Sequence, residues 1–502
     1  MPDAPPSLPR GLSLWWADLP TRRTLWVLCL TSVLAVVCGV VQMMALNQFP
    51  ILLPLGILLG TAYFLLAMSR NLGALLIFLL TFAEFFGLLQ ESSEVNGIKL
   101  IDILTALLVV PLVIQILRSG FPFHGAVGRR MRRATLILLV LLGGEILLTV
   151  LLSEQGLWLS LKAAKPYSYY FAFLLVPIYA DSPAKIRRLG AGMTAIASIL
   201  AFMYLLISML GEIPSLPGLI VGEANFVGLG TFTRVRSNGA PLVVAMLLYQ
   251  FYRYASGRAT RLGKLALVLL SIGAVVHFYR SVWIGVLAAV VVQAGIEGKT
   301  GARTLGKLLL GLLLLSVAMG VINRDYGEMI LSRALSTVTE VEENSGSYGV
   351  RQEQIEAWAP ILQENWLVGI GFLHHDSTVG QQMEALHQLE GTGNYDIGWV
   401  DLMGRLGTLG IILLVAALYL LSRSAWIPAL AAAGGETAIL AKTLAAWLIV
   451  GIVSLPGYPL LSSGAGIFPL ALLAGMLAVL EEHDESPREL PGEQEGSGNA
   501  GR

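Results

Sequence analysis

The sequence predicts an all-α, polytopic membrane protein. Hydrophobic residues make up 55% of its 502 residues and charged residues only 13%, whereas soluble domains carry about 25% charged residues. The mean hydropathy is +0.72. Apolar runs recur along most of the chain, and a helix of about 20 apolar residues is long enough to cross a bilayer. Together these observations exclude a soluble globular protein.

The apolar runs predict about fourteen transmembrane helices. Several of them are short, but each is bounded by polar or charged residues. They are Leu25–Leu46, Pro50–Met68, Leu72–Leu89, Ile98–Leu117, Ala134–Leu152, Pro166–Ala180, Leu189–Leu210, Asn238–Tyr252, Leu265–Phe278, Ser281–Ile296, Leu308–Ile322, Trp399–Leu421, Ala438–Leu455 and Gly464–Leu480.

The loops between these runs differ in charge, as the positive-inside rule describes. If odd-numbered spans leave the cytoplasm and even-numbered spans return, four strongly basic loops fall on the cytoplasmic side. Their basic residues are Arg118, Arg129, Arg130, Arg132, Arg133, Lys185, Arg187, Arg188, Arg253, Arg258, Arg261, Lys264, Lys299, Arg303 and Lys307. We therefore expect a multi-pass protein of the bacterial inner (cytoplasmic) membrane with both termini in the cytoplasm.

Five regions follow from this topology. Residues 1–24 form a cytoplasmic N-terminus, and residues 25–210 form an N-terminal transmembrane bundle. Residues 211–423 include a long extracytoplasmic loop, 324–398. The two C-terminal transmembrane helices occupy 424–480, and the acidic, Gly-rich tail 481–502 is predicted to be disordered. A polar loop as long as 324–398 is unusual in a compact protein and is typical of lids and binding loops.

A second set of basic residues falls on the outer face, where the positive-inside rule does not explain them. It consists of Lys99, Lys162, Lys165, Arg234, Arg236, Arg280, Arg324, Arg333, Arg351 and, within a span, Arg405. These residues indicate an anionic partner. The planar guanidinium group suits phosphate, so the candidate diphosphate-binding residues are Arg234, Arg236, Arg280, Arg333 and Arg351. The alternatives are that these arginines cap helix turns or contact lipid headgroups.

The long loop contains an amphipathic pattern that opens at Arg351. Ile355, Trp358 and Leu362 follow at spacings of three and four residues, which predicts a helix with one apolar face. Pro360 is expected to interrupt it. The helix would lie at the membrane interface or pack over the bundle, with a structural role for its tryptophan.

Three of the six histidines, His374, His375 and His387, also lie in this loop. The run His374-His375-Asp376 suggests a metal site. However, adjacent side chains on an extended segment point in opposite directions, so we predict no metal there. A general base is the favoured role, and the candidates among these histidines are His375 and His387.

Two carboxylates, Glu84 and Glu145, fall in the outer halves of predicted spans, and Asp102 lies near an outer helix end. Ionisable residues inside a membrane are expensive and usually functional. Three roles stay open for them: structural pairing with the outer arginines, binding of an acceptor, or a proton relay.

At this point two motifs resemble a known family. The heptapeptide Tyr279–Gly285 resembles the S-R-x-x-W-L-G helix start of the O-antigen ligase/polymerase superfamily. The run from Arg351 through Trp358 to Gly371 is similar to the R…W…P-L-x-G-x-G loop signature of that superfamily.

Two further motifs extend the resemblance to roughly residues 222–423. The segment Asp396–Gly410 is similar to the point where the family's chain returns to the membrane at G-x-x-G. Arg234 and Arg236, shortly before Pro241, match an arginine that precedes a Pro-containing helix. Each motif alone is weak, but their order, spacing and predicted side of the membrane agree.

The resemblance implies a polytopic, GT-C-like glycosyltransferase whose catalytic region is 211–423. Its donor would be a glycan linked to a polyprenyl diphosphate such as undecaprenyl diphosphate. The implied chemistry is inverting and uses no metal or cofactor. A base deprotonates the acceptor hydroxyl, and arginines stabilise the departing diphosphate. The implied partners are this donor, a glycan acceptor, the lipid bilayer, and chain-length regulator and flippase proteins, with no nucleic acid.

One departure from the family pattern concerns the base. Ligases of the superfamily commonly carry a histidine shortly before the returning helix, where this chain has Asp396. This difference favours a polymerase with Asp396 as base; otherwise His375 or His387 must reach in from the loop. The predicted function is extracytoplasmic polymerisation of repeat units for surface polysaccharide or exopolysaccharide. The alternatives are an O-antigen ligase that transfers glycan to a lipid acceptor, and a lipid-linked glycan flippase or transporter.

Overall fold

The fold is built almost entirely from helices. The structure, a computed structural model, describes residues 52–83, 100–210, 227–229, 232–234, 239–276, 280–298, 303, 306, 346–387, 397–426 and 435–485. Within these ranges two three-residue strands form a small hairpin, and the other regular elements are helical. The all-helical expectation is therefore confirmed apart from this hairpin.

The first half of the chain contains helices of very different lengths. They are α1 (Leu52–Met68), α2 (Leu72–Phe82), α3 (Leu100–Ser119), α4 (Gly125–Leu152), α5 (Leu157–Ser168), a 3-10 helix (Tyr169–Leu175), α6 (Val176–Tyr179) and α7 (Pro183–Leu210). The hairpin follows, with β1 (Val227–Leu229) antiparallel to β2 (Phe232–Arg234). The strand β2 packs against α7.

The second half continues with eight helices in the described ranges. They are α8 (Ala240–Ala255), α9 (Arg261–Val276), α10 (Arg280–Glu297), α11 (Gly346–Glu364), α12 (Thr378–His387), α13 (Gly398–Trp426), α14 (Glu436–Ser454) and α15 (Gly464–Glu485). Helix α13 crosses the predicted domain boundary at residue 423 without interruption.

Seven of these helices are long and apolar enough to cross a membrane: α3, α4, α7, α10, α13, α14 and α15. Fourteen spans were predicted, and the difference has identifiable sources. Two predicted spans, Leu25–Leu46 and Leu308–Ile322, lie outside the described residues. Helices α1, α2, α8 and α9 form where spans were predicted but are shorter than 18 residues.

The predicted span Pro166–Ala180 is not a single helix. The end of α5, the 3-10 helix and α6 share this stretch. Six of the seven residues of the 3-10 helix are buried, and it packs along α15. A 3-10 helix rises about 2.0 Å per residue instead of about 1.5 Å, so the irregular segment covers more distance than an α-helix of the same length.

The core of the bundle lies around α14 and α15. Within the most apolar stretch of 18 residues in α15, 94% is buried inside the protein, and the corresponding share for α14 is 72%. The same share is only 22% for α3 and 28% for α4. Because α3 and α4 expose apolar side chains such as Ile103, Leu117 and Leu136, they form an outer, lipid-compatible face, and α14 and α15 form the centre.

The basic loops gather at one end of the bundle, which we call the basic end. Here Arg130 in the first turns of α4 pairs with Glu481 near the end of α15. Lys442 of α14 lies 2.8 Å from Glu297 at the end of α10. The hydroxyl of Tyr249 in α8 donates to Glu436 at the start of α14. The described parts of the loops that we predicted to share one side therefore do share one end.

The opposite end, which we call the cleft end, carries the start of α3 and the described part of the long loop. There Lys165 of α5 pairs with Asp102 at the start of α3. The hydroxyl of Tyr170 donates to the carbonyl of Leu461 at 2.7 Å, which ties the 3-10 helix to the connection between α14 and α15. The two ends thus separate two different sets of cations.

Helix α11 confirms the amphipathic pattern of the long loop. Trp358 and Ile361 are 3% and 4% exposed, and they form a small apolar cluster with Ile397 and Val400 at the start of α13. The expected interruption at Pro360 does not occur, since α11 continues to Glu364. Burial of the apolar face against α13 outweighs the local cost of proline.

The tail boundary at residue 480 is not a structural boundary. Helix α15 continues to Glu485, so the first residues of the segment predicted to be disordered are helical. Glu481 pairs with Arg130 and Glu482 accepts the backbone N–H of His124 at 2.9 Å. These contacts with α4 hold the last turns of α15 in place.

Candidate functional site

A cleft of about 330 Å³ opens at the cleft end, with charged and polar residues among its lining. One wall is α5, a second is the turn after α11, a third is the first half of α13, and the floor is the connection between α14 and α15. The lining residues are Lys162, Ala163, Pro166, Tyr167, Leu373, His374, His375, Asp401, Arg405, Pro459, Ser462, Ser463 and Gly464. Four separate parts of the chain therefore contribute polar groups to one cavity.

A break in α13 shapes this cleft. Gly407 has φ +56° and ψ −173°, which is not helical. The backbone N–H groups of Ile370 and Gly371 donate to the carbonyls of Gly404 and Arg405 at 2.7 and 3.0 Å. In return, the N–H groups of Thr408 and Leu409 donate to the carbonyls of Trp366 and Leu367 at 2.9 and 3.0 Å.

The inserted segment 366–371 thus replaces the hydrogen bonds that the break removes from α13. In a regular helix Thr408 and Leu409 would donate to Gly404 and Arg405. Broken helices are tolerated within membrane proteins only where other groups satisfy the freed backbone. The break therefore has a specific partner, and it joins the long loop rigidly to a membrane helix.

Glycines make this close approach possible. Gly369 and Gly371 have φ of +69° and +71°, a region that other residues adopt only with strain. A Cβ at Gly407 would lie 2.6 Å from the backbone oxygen of Leu367, and one at Gly369 would lie 2.6 Å from the carbonyl carbon of Arg405. The two glycine motifs noted in the sequence are therefore in direct contact.

Arg405 and Asp401 form the charged pair of the cleft. They lie one turn apart on the first half of α13, and Nε of Arg405 donates to Oδ1 of Asp401 at 2.6 Å. Their side chains are 12% and 7% exposed. Two largely buried charges stabilise each other only when both are present, so the pair holds the guanidinium in a fixed orientation at the cleft.

The turn His374–Ser377 is anchored by hydrogen bonds to its backbone. Oε1 of the buried Gln155 accepts the N–H of His374 at 2.7 Å, and Nε2 of Gln155 donates to the carbonyl of Phe372 at 3.0 Å. The hydroxyl of Ser377 donates to the carbonyl of His374 at 2.7 Å. The histidines therefore sit on a fixed turn.

The two adjacent histidines do not point in opposite directions, and our prediction on this point was wrong. The chain turns at this position, and the rings of His374 and His375 stack with centroids 4.3 Å apart. Asp376 completes the group, with Oδ1 3.1 Å from Nε2 of His375 and Oδ2 3.4 Å from Nδ1 of His374. The alternation of side chains holds for extended strands, and this segment is not one.

Burial lowers the pKa of His374, and the neighbouring His375 lowers it further, whereas the carboxylate of Asp376 acts in the opposite direction. The side chain of His374 is only 8% exposed, but those of His375 and Asp376 are 60% and 52% exposed. Both rings line the cleft, but His374 is the buried member of the pair and His375 is the one exposed to solvent.

Two of the predicted arginines lie beside the floor of the cleft. Arg351 of α11 donates from Nη2 to the carbonyl of Gly457 at 3.3 Å. Ser281 also packs against Gly457, and Arg280 precedes it as the first residue of α10. The connection that carries Gly457 continues to Pro459 and Ser462 in the cleft lining. Arg351 therefore contacts the connection that forms the floor, and Arg280 adjoins it through Ser281, but neither arginine is among the residues that line the cleft.

The remaining predicted site residues divide into two groups. Asp396, Arg236, Arg333 and Glu84 lie outside the described residues. Arg234 in β2 and His387 at the end of α12 are described through their backbone only. The predicted roles of these six residues remain predictions.

Glu145 is buried within the bundle at 5% exposure. It packs against α13, where Gly410 leaves room for its Oε1. Its Oε2 has no hydrogen-bond partner among the described residues, so the structural pairing with outer arginines is not seen there. Thr149, one turn later in α4, donates to the carbonyl of Glu145 and accepts the N–H of Phe372, which places Glu145 below the anchored turn.

Sequence reasoning counted Lys162 and Arg405 among the outer cations that indicate an anionic partner but not among the candidate site residues, and it did not consider Asp401. Lys162 lies 3.8 Å from Oδ2 of Asp376, a contact across more than two hundred residues of chain. The signal for Asp401 and Arg405 was present, because opposite charges four residues apart within an apolar helix predict a pair.

No protein-family model matches this chain, and no curated protein matches it. The function proposed for it is therefore supported by the residues of the cleft and by the motifs that meet there.

Proposed function

We propose that this protein is a membrane glycosyltransferase that polymerises polyprenyl-diphosphate-linked repeat units at the cleft. One observation carries the proposal: Lys162, His375 and the Arg405–Asp401 pair converge on one cavity at the end of the bundle opposite the basic loops. A cavity of this volume admits sugar-sized groups, while the bundle around it suits a lipid-linked substrate.

The cations suit a diphosphate leaving group. When the glycosyl bond breaks, negative charge develops on the diphosphate, and fixed cations at that point lower the barrier. Arg405 is held by Asp401, and Lys162 lies on the opposite wall. Arg351 contacts Gly457 beside the cleft floor, and Arg280 precedes Ser281, which packs against the same glycine; both arginines are proposed to bind the diphosphate next to the cleft.

The acceptor hydroxyl needs a base. The base takes its proton, the hydroxyl oxygen bonds to the anomeric carbon of the donor, and the bond from that carbon to the diphosphate oxygen breaks. Among the described side chains, His375 is the candidate, because it lines the cleft and its Nε2 lies 3.1 Å from Asp376. A carboxylate on one ring nitrogen leaves the other free to accept a proton. Asp396 remains the second candidate.

The proposal is tested by the glycan that accumulates when the gene is deleted. A polymerase leaves a single repeat unit on its polyprenyl carrier. A ligase instead leaves long carrier-linked chains that are not transferred to the lipid acceptor. A flippase leaves the carrier-linked unit on the cytoplasmic leaflet. Either of the last two results would overturn the proposal of a polymerase.

A reconstituted assay tests the role of the arginines. Purified protein in proteoliposomes receives a polyprenyl-diphosphate-linked repeat unit, and product length is read on a gel. We expect Arg351→Ala and Arg280→Ala each to reduce product by about tenfold or more, since each removes a charge-assisted contact. Arg258→Ala, an exposed arginine at the basic end, is the matched control. Normal ladders from both variants would remove the diphosphate-binding role.

A further inference from the structure

We propose that His374, His375 and Asp376 form a binding site for a divalent transition-metal ion such as Zn²⁺ at the rim of the cleft. The proposal goes beyond glycosyl transfer and does not depend on it; an ion bound by His375 and Asp376 would occupy the pair assigned above as base, and the role of base would then fall to Asp396. One potential ligand atom from each residue lies within 4.8 Å of the others. Two imidazoles and a carboxylate form a ligand set that Zn²⁺ commonly takes in proteins.

Two of the separations within the group are close to those of a tetrahedral site. The carboxylate oxygens of Asp376 lie 3.4 Å from Nδ1 of His374 and 3.1 Å from Nε2 of His375. With metal–ligand bonds of about 2.0–2.2 Å, neighbouring ligand atoms in a tetrahedron are about 3.4 Å apart. The two contacts use different oxygens of Asp376, so the side chains must rotate to bring one oxygen and both ring nitrogens around one ion.

The group is largely organised before a metal arrives. Gln155 and Ser377 hold the backbone of His374 by hydrogen bonds of 2.7 Å each, and the stacked rings hold His375 beside His374. Metal binding would cost little backbone conformational entropy, because the turn is already fixed. Burial also favours the neutral imidazole of His374, which is the form that ligates metal.

Two interactions compete with the ion. Nδ1 of His374 accepts the backbone N–H of Asp376 at 3.1 Å, and metal binding would replace that bond. Because Asp376 is half-exposed, water can satisfy the released N–H. Lys162 lies 3.8 Å from the carboxylate of Asp376, and both side chains are partly exposed, so this ion pair is weak.

The site has room for further ligands. His375 and Asp376 are 60% and 52% exposed, so a water molecule can take the fourth position. Imidazole favours Zn²⁺ and neighbouring transition metals over Mg²⁺ and Ca²⁺, which prefer sites made only of oxygen. The expected selectivity is therefore Zn²⁺ or Co²⁺ over Mg²⁺.

The test uses the full chain, purified through a tag without histidine and reconstituted in nanodiscs after chelator treatment. Zn²⁺ is titrated by calorimetry, and Co²⁺ is titrated by its visible absorption, which is intense in tetrahedral sites. We expect one equivalent of either ion to bind. Binding should weaken by at least about tenfold in His375→Ala and in Asp376→Asn, since loss of even an outer-shell partner costs that much.

Two controls make the result specific. Lys162→Met should tighten binding by up to about fivefold, because it removes the competing exposed ion pair. His483→Ala changes an exposed histidine at the basic end and should leave the affinity unchanged. Because His375 and Asp376 are exposed, their variants should remain monodisperse. Absence of binding, or equal affinity in wild type, His375→Ala and Asp376→Asn, would overturn the proposal.

Discussion

Arg405 is the residue that most clearly connects the membrane bundle to the cleft. It lies within an apolar helix, is 12% exposed at its side chain, and is held by Asp401 one turn earlier. Intramembrane charges of this kind are expensive and usually mark functional sites. The positive charge of Arg405 is not enough to bind a ligand in one orientation. Asp401 sets the orientation in which the guanidinium reaches the cavity.

Substitutions in this pair separate charge from geometry. Arg405→Lys keeps the charge but loses the planar fork, and Asp401→Asn removes the charge that holds it. We expect each to reduce polymer formation by about tenfold or more while the protein still inserts in the membrane. Product is measured in proteoliposomes, and insertion is measured by membrane fractionation. Full activity of both variants would assign the pair a purely structural role.

Glu145 permits a prediction about stability. Its Oε2 is buried without a hydrogen-bond partner among the described residues, and such groups cost about 1–3 kcal/mol. Glu145→Met should therefore raise the free energy of unfolding by roughly 1 kcal/mol, seen as a higher thermal midpoint in detergent. Glu353→Met, on the exposed face of α11, should change it by no more than about 0.5 kcal/mol.

The outcome at Glu145 also bears on function. A variant that is more stable but makes no product would show that the carboxyl is retained for acceptor binding or proton transfer. Lower stability in Glu145→Met would contradict the prediction and point to a partner of this carboxyl in the parts of the chain that are not described.

At the scale of elements, the break in α13 is the main structural device. The segment 366–371 enters the gap at Gly407 and takes over the hydrogen bonds of the helix. Because this contact requires three glycines with positive φ, it explains why glycines recur in both motifs. The apolar run Trp399–Leu421 continues across the break at Gly407, so hydropathy alone predicts one continuous span there.

Alanine substitution tests this arrangement. Gly407→Ala combines backbone strain with a clash against the backbone of Leu367, and we expect a loss of roughly 2–4 kcal/mol in stability. Gly120 is the matched control, because its φ is +81° but nothing lies within 4 Å of an added Cβ. Gly120→Ala should cost only about 1 kcal/mol. Equal losses, measured by thermal unfolding, would contradict the close approach.

Across the whole molecule, the two ends of the bundle carry different sets of cations. At the basic end, Arg130 pairs with Glu481 and Lys442 with Glu297, Arg253 lies over the ring of Tyr249, and Arg129 and Arg258 lie exposed. At the cleft end, Lys162 and Arg405 face a cavity. This separation supports the proposed topology, in which the cleft is extracytoplasmic.

Cysteine labelling tests that topology directly. Cys29 and Cys38 are first replaced by serine, and single cysteines are then introduced as Gln381→Cys at the cleft end and Arg258→Cys at the basic end. A membrane-impermeant maleimide should label Gln381→Cys from the outside of spheroplasts and Arg258→Cys only in inverted vesicles. Labelling of both from the same side would refute the sidedness.

The membrane class, the basic loops and the amphipathic face of α11 could be predicted from the sequence, because hydropathy, charge bias and periodicity are local properties. The diphosphate-binding role of Arg280 and Arg351 was also derived from local sequence, and it remains a prediction. In contrast, the predicted span Pro166–Ala180 and the interruption at Pro360 were wrong. In both places tertiary packing overrides local preference: burial against α15 selects a 3-10 helix, and burial against α13 keeps α11 intact.

The cleft itself was decided only by the tertiary structure. Lys162, His375 and Arg405 are far apart in the chain, and their meeting depends on how α5, the turn after α11 and α13 pack. The same holds for the stacked histidines, whose orientation follows from hydrogen bonds to Gln155. The local sequence thus determined which residues are charged and on which side they were expected, while long-range contacts determined which of them share one cavity.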